Sequence, residues 1–203
     1  MALTATSKSY TVDEYFAIEE RAEEKHEFDN GEIYAMSGGT LAHSQITMNV
    51  GGELRNRLRG QRCQALESNI KVGIVAFNKF VYPDVMVVCG RPEFAAEGTP
   101  RHAIVNPTLI VEVLSLSTEL YDRVKKFEAY QSLDSLKEYV LVAQREPHVN
   151  TYFRHDDGRW TLRTFKDISA SVQLPSLGIE IPMREIYLNV EFQPVEPPLS
   201  EEL

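Results

Sequence analysis

Two strand-like runs each carry one acid where apolar side chains are expected: Tyr82-Pro83-Asp84-Val85-Met86-Val87-Val88 and Leu109-Ile110-Val111-Glu112-Val113-Leu114-Ser115. A carboxylate taken out of water without a partner is costly, or neutralises itself through a raised pKa, so each acid calls for compensation. A divalent cation supplies it. Two carboxylates converging from neighbouring strands are hard oxygen ligands suited to Mg²⁺ or Mn²⁺, ions that serve hydrolysis of phosphodiesters. Alternation along a strand sets Asp84 on one face with Met86 and Val88, and Glu112 with Ile110 and Leu114. A hydrogen-bonded structural acid at a strand end is the competing explanation for either residue alone. Glu112 resists it better, being closely flanked by apolar residues on both sides.

Phosphodiester hydrolysis also needs a positioned water, charge neutralisation on the phosphoryl oxygens and help for the leaving oxygen, and a lysine would complete the set. Downstream of the second acid, Leu120, Val124, Phe127 and Tyr130 form an apolar stripe at helical spacing. A turn of ~100° per residue places Lys126 on the edge of that stripe beside Tyr130, with Lys125 nearly opposite. Lys126 can then lie along the packed face with its ammonium reaching the ends of the two acidic strands. Without the acids, an ordinary solvated lysine would be the better reading. Four arginines crowd the segment from Glu53 to Arg62. Arg55, Arg59 and Arg62 share a helical stripe that could track phosphates, although a solvated helix face is the better explanation.

The elements that must carry these residues can be read from the same chain. Thr11-Val12-Asp13-Glu14 is a capping box opening a helix that runs to about Glu24. Asn30-Gly31 predicts a hairpin over His26 to Met36. Ile46, Val50, Leu54 and Leu58 recur every four residues, giving a second helix from about Ala42 to Arg59 that ends at Gly60. Cys63 to Phe77 alternates, with Ile70, Val72 and Ile74 on one face, and Asn78-Lys79 turns it into the Asp84 strand as an antiparallel neighbour. Gly90 to Pro107 reads as an irregular excursion. Ser117 or Thr118 caps a third helix to about Ser132, and Glu138 to Val142 forms a strand parallel to the Glu112 strand. A meander follows over Val149–Phe153, Trp160–Phe165 and Ile179–Ile181, in which His148 and His155 carry no ligand signal.

The 203 residues, 43% hydrophobic, suit one domain over 10–190 with flexible ends at 1–9 and 191–203. No run approaches the ~18 apolar residues of a membrane span, and the first ten residues lack a signal-peptide core, so a soluble cytoplasmic protein is expected. Cys63 and Cys89 show neither CxxC spacing nor a histidine pair nearby, which argues against zinc and favours reduced, buried thiols over a disulfide. A net charge of -9 and a pI near 5.1 speak against a general electrostatic nucleic-acid binder. Metal-site acids and an acidic exterior contribute to that total, however, and local potential matters more in a groove. A glycosidase using Asp84 and Glu112 would need an aromatic sugar platform, for which the single Trp160 is poor support.

With those residues in view the chain resembles the PD-(D/E)XK nuclease superfamily, and within it the Uma-type endonucleases. The resemblance is carried by His26-Glu27-Phe28-Asp29-Asn30-Gly31-Glu32, Met36-Ser37-Gly38-Gly39 with His43, Tyr82-Pro83-Asp84, Ile110 to Ser115, and Ser117-Thr118 through Asp122, Lys126 and Tyr130. Each motif is weak alone; their order and spacing, from Tyr10 to Tyr187, make the match specific. It implies an α/β restriction-endonuclease-like fold, a mixed central sheet flanked by helices, and Mg²⁺-dependent cleavage of DNA by a homodimer. It further implies that Asp84 and Glu112 bind the metal, that Lys126 orients or activates water, and that Glu27 is a fourth polar member. His43 either contacts substrate or buttresses the site. The superfamily's usual lysine lies two residues after the second acid, where this chain has Leu114, so the resemblance assigns the role to Lys126; Leu116 stands where relatives commonly have proline. The rival class is a non-catalytic dimerisation or DNA-docking module. The acidic pI favours it, and the intact Asp84, Glu112 and Lys126 disfavour it.

Overall fold

The computed structural model describes residues 9–36, 38–95, 103–115 and 119–192. The expected flexible ends fall largely outside these residues, as do Ser117 and Thr118 and part of the 90–107 excursion.

Helix α1, Val12–Glu19, opens on the expected capping box: the Glu14 carboxylate accepts from the Thr11 N–H at 2.8 Å and the Glu14 N–H donates to the Thr11 hydroxyl at 3.2 Å. It stops short of Glu24, because Ala22-Glu23-Glu24 offers little apolar surface to hold another turn. Strands β1 (His26–Asp29) and β2 (Glu32–Ala35) form the predicted hairpin. Asn30 at φ 46° and Gly31 at φ 102° supply the left-handed turn. Helix α2, Leu41–Arg57, is capped by the Thr40 hydroxyl and buries Ile46, Val50 and Leu54. Each such aliphatic side chain contributes about 1.5–3 kcal/mol by leaving water.

The stretch from Cys63 to Phe77 departs from expectation. It splits into β3 (Cys63–Glu67) and β4 (Lys71–Ile74), which belong to different sheets. β4 pairs with β5 (Lys79–Val81), whereas β3 pairs with β6 (Val85–Cys89), the strand that follows Asp84. Pro83 stands between β5 and β6; without an N–H it cannot continue a ladder, and the chain crosses there from one sheet to the other. With β7 (Ala103–Ile104), the first sheet has the order β2-β1-β5-β4-β7. The second has the order β11-β10-β9-β8-β6-β3, built with β8 (Leu109–Leu114), β9 (Glu138–Ala143), β10 (Val149–Arg154) and β11 (Trp160–Phe165). β8 and β9 are parallel, as predicted, and β6 runs antiparallel to β8. A small hairpin, β12 (Ser171–Leu174) and β13 (Ile179–Pro182), leads into α4, Met183–Ile186.

The third helical segment differs in its winding. Tyr121–Lys126 is a π-helix that continues into α3, Phe127–Tyr130. Its wider turn rotates Asp122 and Lys126 into the interior and leaves Leu120 and Val124, two members of the predicted stripe, 77% and 51% exposed.

One face of the second sheet packs under α2 and α4 through Val85, Val87, Leu109, Val111 and Val113. The opposite face, through Met86, Val88, Ile110 and Leu114, meets Val72, Ile74 and Val81 of the first sheet together with Tyr130. Cys63 and Cys89 face each other across β3 and β6, with Cα atoms 3.9 Å apart, and form a disulfide; the expectation of free thiols is thereby corrected. Their pairing depends on a strand register that a separation of 26 residues does not reveal. Among the described residues no helix is long and apolar enough to cross a membrane.

Glu138, at the start of β9, is fully buried; its Oε2 accepts from the Ser176 N–H at 3.2 Å and hydroxyl at 2.5 Å, while Oε1 has no hydrogen-bond partner among the described residues. Burial pushes its pKa from 4.5 up to about 7, against the pull of Ser176 and Arg163. The folded chain therefore binds this proton more tightly than the unfolded chain. Stability is fully present below pH 4.5 and falls by about 3 kcal/mol as pH rises through 7. Glu138→Gln is expected to flatten that slope: thermal unfolding should show the variant more stable than wild type at pH 8, with the gap shrinking at pH 5.

Candidate active site

The β6–β8 ladder opens where the acids stand. Its register, Val85↔Val111, carried one residue further sets Asp84 opposite Glu112. Beyond Pro83 the Val113 N–H has no strand partner on that side, and it donates instead to Asp84 Oδ2 at 2.7 Å. Asp84 is thus fixed by the backbone of the residue next to Glu112. His43, in the first turn of α2, approaches from the other side with Nε2 3.3 Å from the same Oδ2. That hydrogen bond raises the pKa of His43 against the opposing effect of burial. The chain passes tightly over the imidazole at Gly39, where a Cβ would come within 2.9 Å of His43 Nδ1.

Glu112 lies inside β8 and is 4% exposed. Oε1 accepts from the Lys126 ammonium at 3.3 Å and from the Tyr130 hydroxyl at 2.9 Å. Burial drives its pKa well above the usual carboxylate range; Lys126 opposes the rise, and Asp122, Asp84 and Glu27 add to it. Lys126 is itself buried, with its ammonium 3.1 Å from Glu27, 3.3 Å from Glu112 and 3.5 Å from Asp122. Burial alone would lower its pKa, but the three carboxylates outweigh burial and hold it well above the ordinary lysine value. Glu27 comes from β1, in the other sheet, and its Oε1 also accepts from the Tyr82 N–H at 3.1 Å.

These side chains line a cleft of about 440 Å³ between the two sheets, the start of α2 and the π-helix. Asp84, Glu112, Lys126, Glu27 and His43 therefore meet. Arg55 and Arg59 do not join them. Arg55 is exposed roughly 18 Å along the α2 axis from His43, while Arg59 and Arg62 lie past the end of the helix and form no helical stripe with it.

Two participants, Asp122 and Glu19, were given no role from the sequence. Asp122 precedes Lys126 by four residues and shares its ammonium, a spacing visible in the chain whose inward direction depends on the π winding. Glu19 accepts from the Tyr82 hydroxyl at 2.6 Å and lies 3.7 Å from Lys71, bracing the residue whose N–H holds Glu27. No local sequence pattern marks that pair.

Among the described residues, no three His, Cys, Asp or Glu side chains are gathered closely enough to hold a metal ion unaided. Mg²⁺ rarely asks for that, since it is commonly held by one or two carboxylates with water and substrate phosphate completing its shell. The donor chemistry fits such an ion. Five carboxylates, Glu27, Asp29, Asp84, Glu112 and Asp122, line the cleft beside Lys126 and His43, leaving an excess of negative charge that a cation would relieve.

The Uma2 family profile, described as "Putative restriction endonuclease", matches residues 12–184. Two proteins of Synechocystis sp. are similar over most of their length. "Uncharacterized protein slr1290" is 36% identical over 180 residues, covering 89% of this chain and 92% of its own. "Uncharacterized protein sll1609" is 32% identical over 179 residues, covering 88% of this chain and 100% of its own. A crystal structure described as a putative nuclease belonging to DUF820, from Anabaena variabilis, superposes with a TM-score of 0.71 at 17% identity over 88% of this chain and 97% of that one, a likeness of fold. With an acid pair at the head of β6 and inside β8, a buried lysine and a mixed α/β fold already in place, the match over 12–184 makes this chain a member of the Uma2 family of restriction-endonuclease-like proteins.

Proposed function

We propose that the chain is a Mg²⁺-dependent endonuclease that hydrolyses DNA phosphodiester bonds, with Asp84 and Glu112 as the residues that would hold the ion. The observation that carries this reading is the meeting of Asp84, Glu112 and Lys126 in one cleft, Asp84 held by the backbone beside Glu112 and Lys126 in contact with Glu112. Once bound, Mg²⁺ or Mn²⁺ would lower the pKa of a coordinated water and neutralise charge on the phosphoryl oxygens. Lys126, kept protonated by its carboxylates, would orient the attacking water and offset developing negative charge rather than remove a proton. Glu27 and Asp122 would keep the ammonium in place. His43 would keep Asp84 turned toward the cleft. Cutting both strands of a duplex calls for two such clefts, and a homodimer is the assembly that the family resemblance suggests.

The test is cleavage of supercoiled plasmid by the purified chain with Mg²⁺ or Mn²⁺. Nicking or linearisation that EDTA abolishes and added metal restores is expected; a chain that leaves DNA intact under every divalent cation tried would overturn the reading.

A further inference from the structure

We infer that Tyr130 is a positioning residue that determines which oxygen of Glu112 faces the divalent cation, an inference resting on the metal-dependent reading above. The Tyr130 hydroxyl donates to Glu112 Oε1 at 2.9 Å and the Lys126 ammonium reaches the same oxygen at 3.3 Å. Both donors fall on Oε1, which leaves Oε2 as the oxygen presented to an ion. Lys126 cannot fix that choice alone. Its three protons are shared among Glu27, Glu112 and Asp122, so its pull on Glu112 is one of three competing pulls.

Tyr130 is better placed to fix it. Its side chain is fully buried, with its ring 5.4 Å from that of Tyr139, which stacks in turn on Phe127 at 5.3 Å and 6°. The Tyr139 hydroxyl donates to the Asp122 carbonyl at 3.1 Å, tying this wall of rings to the π-helix that brings Lys126. The approach of the Tyr130 hydroxyl to Glu112 is therefore set by packing. Being neutral, it holds the carboxylate without adding a positive charge that would oppose a cation nearby. A partner that orients a ligand in this way typically accounts for roughly 10- to 100-fold in metal affinity.

The experiment is calorimetric titration of Mn²⁺ into the full chain without DNA, for wild type, Tyr130→Phe and Tyr187→Phe. Tyr187 is a similarly buried tyrosine on the opposite side of the second sheet, its hydroxyl 3.0 Å from both the Ala143 and the His148 carbonyl, which compete for its one proton. Tyr130→Phe is expected to bind Mn²⁺ roughly tenfold more weakly or worse, and to recover plasmid cleavage as Mn²⁺ is raised. Tyr187→Phe should lose stability and keep wild-type Mn²⁺ affinity. Should Tyr130→Phe fail to fold, Tyr130→Met, which also lacks the donor, takes its place. Wild-type Mn²⁺ affinity in a folded Tyr130 variant overturns the role of Tyr130 and leaves the nuclease reading standing. A wild-type chain that binds no Mn²⁺ overturns the metal centre and this inference together.

Discussion

Asp84→Asn protein is expected to remain folded while cutting plasmid DNA roughly a thousandfold more slowly than wild type, or not detectably. The two halves of this expectation have separate causes. The amide oxygen of asparagine can still accept the Val113 N–H that Asp84 accepts at 2.7 Å, so the β6–β8 junction keeps its bond and the melting temperature should move little. What disappears is the negative charge on which the proposed ion would rest, and with it the ion pair to His43. Asp84→Ala should abolish cleavage as completely and cost about 1 kcal/mol more in stability, because the N–H loses its acceptor. Circular dichroism melts alongside plasmid assays check both halves; undiminished cleavage by either variant would remove Asp84 from the chemistry.

Lys126→Ala should have the larger structural effect. Removing the ammonium leaves Glu27, Glu112 and Asp122 facing one another in a cleft where Glu112 is only 4% exposed. Breaking a buried ion pair from one side costs about 3–5 kcal/mol, which in a chain of this size lowers the melting temperature by about 10 °C or more. The variant's stability should also depend on pH in a defined direction. Burial already raises the Glu112 pKa against the pull of Lys126, and without the ammonium Glu112 binds its proton more tightly folded than unfolded, so acidification should partly rescue the variant and alkaline conditions should weaken it further. Metal-free thermal unfolding between pH 5 and pH 8 measures this. A flat profile with a wild-type midpoint would mean that the ammonium is not what holds these acids together. Cleavage should be lost across the whole range.

Where the sequence was informative, a short-range rule was at work. Asn30-Gly31 marked the hairpin because only residues tolerant of positive φ fit that turn, and the four-residue recurrence of Ile46, Val50, Leu54 and Leu58 marked α2 because a helix must bury one face. Asp84 and Glu112 stood out as charges in apolar runs; Lys126 is buried and Lys125 exposed, as the helical phase predicts, but the stripe from which that phase was taken is buried only in part and the π winding is what turns Lys126 inward. What stayed hidden depended on distant partners. The division of β3 and β4 between two sheets, the Cys63–Cys89 bond and the bracing of Tyr82 by Glu19 each join segments whose pairing no local pattern encodes. The π winding of Tyr121–Lys126 was hidden for another reason: an ordinary helical period predicts Leu120 and Val124 inward, whereas burying Asp122 and Lys126 beside Glu112 and Glu27 requires a wider turn.

The crossing at Pro83 bears on when the chain could become active. Glu27 belongs to one sheet and Glu112 to the other, and Lys126 joins them only after the two halves have docked. A nascent or half-assembled chain would carry every one of these residues and still lack a working centre. For the function proposed above, cleavage would thus begin only once both sheets have docked, a condition set by geometry alone.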